Sequence, residues 1–215
     1  MKENHMMKVF GAGKVRSSIF NDVLGPVMRG PSSSHTAASW RIARIAVQIL
    51  DDQLDSALVE FDRHGVWASN YVEQGTALGM NAGLLGIDMT DDKILKLDDI
   101  ASELKVKIEY KISDFETDHP NTVRLTVHGR NGKSITLTGV STGGGMFEIR
   151  KIYDFPVRLF GDDHELVVFF KHELSDDSRK MIDLQSPENC YPGWYRNNGK
   201  DLLVIQSSKE IPDIY

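Results

Sequence analysis

Residues 121–140, "NTVRLTVHGRNGKSITLTGV", decide the fold class. Val123, Leu125 and Val127 alternate with polar neighbours, and Ile135 and Leu137 resume the alternation after Asn131-Gly132. A period of two puts such residues on one face of a strand. Asn-Gly suits the positive φ of a tight turn. The stretch is a hairpin of consecutive antiparallel strands.

Outward from it the pattern is mixed. Upstream, "KVKIEYKISDF" (105–115) and "SALVEFD" (56–62) alternate as strands. "VWASNYVEQGTALGMNAGLLG" (66–86) reads as helix, weakened by Gly75, Gly79 and Gly83. A helix is expected from about His35 to Leu50, with Ala38, Ile42, Ile45 and Ile49 on one apolar face. Downstream, "FPVRLFG" (155–161), "ELVVFFK" (165–171) and "DLLVIQ" (201–206) read as strands. "SDDSRKMIDL" (175–184) reads as a short helix and "SPENCYPGWYRNNGK" (186–200) as loop. The expected class is α+β, helices packed on a mainly antiparallel sheet. The expected organisation is a flexible tail over 1–15, a main domain over 16–154, and a small strand–helix–strand appendage over 155–215.

Composition narrows the function. With 215 residues, 40% hydrophobic and 26% charged, the chain has ordinary globular composition. A net charge of −6 argues against nucleic-acid or anionic-membrane binding, which needs a local excess of Lys and Arg. No apolar run approaches the roughly 20 residues of a membrane span, and the first residues lack the apolar core of a secretion signal. The single cysteine, Cys190, forbids an internal disulfide and makes a reducing cytoplasm the expectation. One thiolate also cannot hold an iron–sulfur cluster.

The chemistry-bearing stretch is "RGPSSSHTAASW", residues 29–40. Ser32, Ser33 and Ser34 precede or open a helix, where one of them can cap a backbone N–H. The alternative is an anion site, because a helix start offers unpaired N–H groups, a partial positive charge and here several hydroxyls. His35 can act as acid or base near neutral pH. No carboxylate is spaced to orient it, which excludes a serine-hydrolase triad. Gly143-Gly144-Gly145 is either a bend in a sheet or a backbone approached closely by a ligand. "DHPNTV" (118–123) places His119 and Asn121 about Pro120 at a strand entrance, and Arg41 and Arg44 read as a solvated helix face.

Taken in order, "GPSSSHT" (30–36), a helix, "AGLLG" (82–86), "HPNTV" (119–123) and a late "GGG" (143–145) closely resemble the β chain, or β domain, of iron–sulfur-dependent L-serine dehydratase, an L-serine ammonia-lyase. The resemblance runs from about Ser18 to Ile152. It extends to the allosteric substrate-binding domain of some phosphoglycerate dehydrogenases. "EQGTALG" (73–79) stands where the family carries "GHGTD"-like residues. The resemblance implies a partner serine dehydratase α chain whose [4Fe–4S] cluster acts as Lewis acid on the serine hydroxyl, giving pyruvate and ammonia. It implies that this chain ligates no metal, that His35 is catalytic, and that Ser32, Ser33, Ser34, Thr36, Asn121, Gly143, Gly144 and Gly145 bind a small amino acid within an oligomer. Two other functions fit the same fold: a non-catalytic amino-acid-binding regulatory module, and a lyase acting on another small amino acid. The segment after Phe155 sits where many β chains carry an ACT domain, and reads as a degenerate or unrelated version.

Overall fold

In a computed structural model, residues 29–211 are described. The tail expected at 1–15 lies outside them. The class is α+β: among the described residues five helices accompany a mostly antiparallel sheet.

The hairpin that sets the class forms β3 (Thr122–Gly129) and β4 (Ser134–Gly143), with Leu125 opposite Leu137. Around it lie β1 (Leu54–Asp62), β2 (Lys107–Ser113), β5 (Met146–Ile152) and β6 (Phe155–Leu159). They make a six-stranded sheet in the order β2-β1-β3-β4-β5-β6. Only β1 and β2 run parallel, joined through α2 (Val66–Asn70), α3 (Thr76–Leu84), a 3-10 turn at Asp92–Lys96 and α4 (Leu97–Leu104). A parallel neighbour requires such a crossover. The large sheet therefore continues past residue 154, because Tyr153 at φ 50° turns β5 directly into β6.

Helix α1 (Ser33–Leu50) begins two residues before the expected start and lies on one face of this sheet. Ile42, Ala46 and Leu50 share a core with Val59, Phe61, Leu125, Leu137 and Ile149. Gly139 makes room for it, since a Cβ there would stand 3.0 Å from Ile42. The other face of α1 packs on α3. A Cβ on Gly79 would stand 2.0 Å from the Thr36 carbonyl oxygen, and one on Gly83 2.4 Å from that of Trp40. The glycines that weaken α3 as an isolated helix are what allow it to touch α1. Gly75, at φ 85°, breaks the expected single helix into α2 and α3.

The opposite face of the sheet is polar, with Glu60 buried under Arg124, and Glu148 under Arg150 and Arg158. The rest of the chain forms a second antiparallel sheet, β7 (His164–Phe170), β9 (Lys200–Ser207) and β8 (Cys190–Asn197) in spatial order, with α5 (Asp176–Gln185). Leu202 and Val204 of the central β9 join the main core, while Leu203 and Ile205 face Cys190 and Ile182. Strand β8 replaces the expected loop over 186–200. Its Pro192 and Gly193 read as turn residues, but β8 is an edge strand, where proline costs no ladder bond.

Candidate functional site at the start of helix α1

The first turn of α1 is not capped by a side chain. Ser32 has extended backbone (φ −133°, ψ 119°), and its carbonyl accepts the N–H bonds of His35 (3.1 Å) and Thr36 (2.8 Å). Its hydroxyl lies 2.9 Å from His35 Nδ1 and 3.1 Å from the Ser34 hydroxyl, which is itself 3.2 Å from Nδ1. The capping role expected of one serine is therefore not taken up, because the hydroxyls are drawn to the imidazole instead. The helix start keeps its partial positive charge without a side-chain cap to satisfy it.

His35 is buried, 8% exposed, and its Nε2 meets no partner. Burial pulls its pKa below the usual 6.5, and the side chain of Asn70 works in the other direction. The Ser32 and Ser34 hydroxyls both reach Nδ1, and where one of them donates to it a neutral ring carries its proton on Nε2. Trp67, fully buried, stands with its ring 6.0 Å from the imidazole and edge-on to Phe61.

Other segments converge on the same end of the helix. Gly65 abuts the Pro120 carbonyl, which accepts the Val66 N–H at 2.8 Å and so fixes α2 to the "HPN" turn. Asn121 donates its N–H to His119 Nδ1 (3.1 Å) and accepts the Ser141 N–H (3.0 Å). Burial, then the nearby Arg150, lower the His119 pKa. Gly143, Gly144 and Gly145 have φ values of 105°, 59° and 82°, a turn that side chains rarely allow. Gly145 packs on α1, since a Cβ there would stand 3.2 Å from that of Ala37. Arg41 Nη1 donates to the Gly145 carbonyl at 2.7 Å. Arg41 is thus a half-buried strut rather than a solvated residue.

Of the residues singled out in the sequence, Ser32, Ser33, Ser34, His35, Asn121 and Gly143–Gly145 lie on segments gathered at this end. Thr36 is turned to α3, where its hydroxyl donates to Gln74 O at 3.4 Å. Three further residues gave no sequence signal, Trp67, Asn70 and Ser141, and Arg41 had read only as a solvated helix-face residue. Among the described residues, His35 Nε2, Trp67 Nε1, Asn70 Oδ1, Asn121 Oδ1 and Ser141 Oγ are buried without partners in this region, as is Thr76 Oγ1 at the start of α3. Each unpaired buried group costs about 1–3 kcal/mol. Such atoms on neighbouring segments leave polar partners to be supplied from beyond the described residues.

No family model matches the chain. Over 151 residues it is 38% identical to the "Probable L-serine dehydratase, beta chain" of Bacillus subtilis (strain 168), covering 70% of this chain and 67% of that protein. The chain belongs to the L-serine dehydratase beta-chain family. Over 142 residues it is also 32% identical to the "L-serine dehydratase, beta chain" of Peptoniphilus asaccharolyticus, covering 66% of this chain and 63% of the relative. The matches thus span about two thirds of each. The chain has one cysteine, buried in β8 of the small sheet. Among the described residues no three of His, Cys, Asp and Glu gather as a metal site. Cluster ligation takes three or four thiolates, so the residues present do not fit one. Among the described residues no helix is long and apolar enough to cross a membrane.

Proposed function

We propose that this chain is the β subunit of an L-serine ammonia-lyase, working with an α chain that brings a [4Fe–4S] cluster, and that the start of α1 receives a small amino acid. The reaction removes the α-proton and the hydroxyl of L-serine, and the resulting enamine hydrolyses to pyruvate and ammonia. Within that reading the uncapped N–H groups of α1 attract the substrate carboxylate. Asn70 Oδ1 and Asn121 Oδ1 supply acceptors for the ammonium. Neutral His35, held through Nδ1 by a serine hydroxyl, offers Nε2 to exchange a proton. The Gly143–Gly145 turn, braced by Arg41, lets backbone approach closely. The sheet of β7, β8 and β9 stands apart from these residues as an appendage.

The observation that carries the reading is the unpartnered His35 Nε2 at an uncapped helix start. The test is co-expression with the α chain. The expected result is a colourless, iron-free β chain in isolation, and L-serine-dependent pyruvate formation by the α–β pair alone. Iron bound stoichiometrically by the isolated chain would overturn the division of labour. Amino-acid binding by a pair that makes no pyruvate would favour a regulatory module instead.

A further inference from the structure

Between α1 and the leading end of β7 lies a cleft of about 860 Å3. Helix α1 contributes Arg41, Arg44 and Ile45, β5 contributes Phe147, and the approach to β7 and β7 itself contribute Asp163, Glu165 and Val167; Arg41 is already engaged by the Gly145 carbonyl. Two features make it more than a surface hollow. Arg44 has no hydrogen bond or ion pair among the described residues, although Asp163 and Glu165 line the same space. Opposite charges thus share one cleft without meeting. Glu165, for its part, lacks a cation. Burial pushes its carboxyl up to about 7, and Asp162 and Asp163 push the same way, against a single opposing hydrogen bond from Gln206 Nε2 at 3.0 Å.

A bound molecule that bears both charges can satisfy both sides at once, whereas a simple anion or cation leaves one of them facing its own sign. The apolar atoms of Ile45, Phe147 and Val167 beside these charges suit a hydrocarbon group. We propose that this cleft binds a compact zwitterion, an α-amino acid with an apolar side chain, with its carboxylate toward Arg44 and its ammonium toward Asp163 and Glu165. The site is independent of the proposed role of α1's first turn, and the ligand class differs from serine.

The test is calorimetric titration of the full chain with L-leucine, with 3-methylbutylamine, which lacks the carboxylate, and with 4-methylpentanoate, which lacks the ammonium. The expected result is saturable L-leucine binding that each analogue weakens by ~10-fold or more, the scale of one charged hydrogen bond. Arg44→Gln and Glu165→Gln should weaken L-leucine binding to a similar degree. His35→Ala, which alters only the α1 start, should leave it unchanged. The proposal is overturned if L-leucine shows no saturable binding at millimolar concentration, or if the amine or the acid binds as well as the zwitterion. It also falls if both cleft substitutions leave affinity intact, or if His35→Ala abolishes binding, since the ligand would then occupy the other site. The analogue comparison uses the unmodified chain and does not depend on either variant folding.

Discussion

His35 shows how one side chain can answer to both stability and chemistry. Burial keeps its folded-state pKa below the usual 6.5. Between the two values the unfolded chain binds more protons than the folded one, so stability is present above about pH 6.5 and is lost as the pH falls. His119 is shifted in the same direction and adds to the effect. Thermal melts should therefore show a falling Tm on acidification below about pH 6.5, and His35→Gln should flatten part of that limb. An unaltered acid limb in the variant would leave His119 as its sole histidine source. The serines teach a related lesson. A run of three at a helix start reads as a cap with spares, because capping is the common use of serine there. What diverts them is the imidazole one and three residues further on, 2.9 Å from Ser32 Oγ. Spacing alone does not reveal which of two local partners a hydroxyl chooses.

The contact between α1 and α3 rests on glycines. In an isolated helix, replacing Gly79 with alanine gains roughly 0.5–1 kcal/mol. Here the new methyl would stand 2.0 Å from Thr36 O and 2.4 Å from Ser39 Oγ. Gly79→Ala should instead cost about 1–3 kcal/mol, the range of core overpacking. Chemical denaturation measures it, and a stabilised variant would contradict the close packing. Much of this architecture was legible. Alternation marked β1, β2, β3 and β4, short apolar runs marked β6, β7 and β9, and Asn131-Gly132 marked the hairpin turn, where Gly132 adopts φ 83°. Strand β8 was hidden because Pro192 and Gly193 signal turns, and an edge strand tolerates both. The break at Gly75 and the parallel pairing of β1 with β2 depend on tertiary contacts that no local pattern carries. So do the site positions of Trp67 and Asn70, which α2 holds against His35 only because Gly65 and Val66 are fastened to Pro120.

At the scale of the whole molecule, Arg41 links the parts. It holds the Gly145 carbonyl at the proposed site and is attracted to Asp162, in the loop that leads to the small sheet. Arg41→Gln should free the glycine turn and weaken L-serine binding by the α–β pair by ~10-fold, with the melt little changed. Parallel loss of affinity and of Tm would make Arg41 a packing residue instead. The central claim is that a dehydratase subunit brings His35 to a reacting amino acid, and kinetics of the assembled α–β enzyme carrying His35→Ala, measured beside its thermal melt, test it most directly. In a variant that still folds and pairs with the α chain, kcat/KM for L-serine should fall by ~10²-fold or more, the scale of acid–base assistance. Full activity in the variant would contradict it.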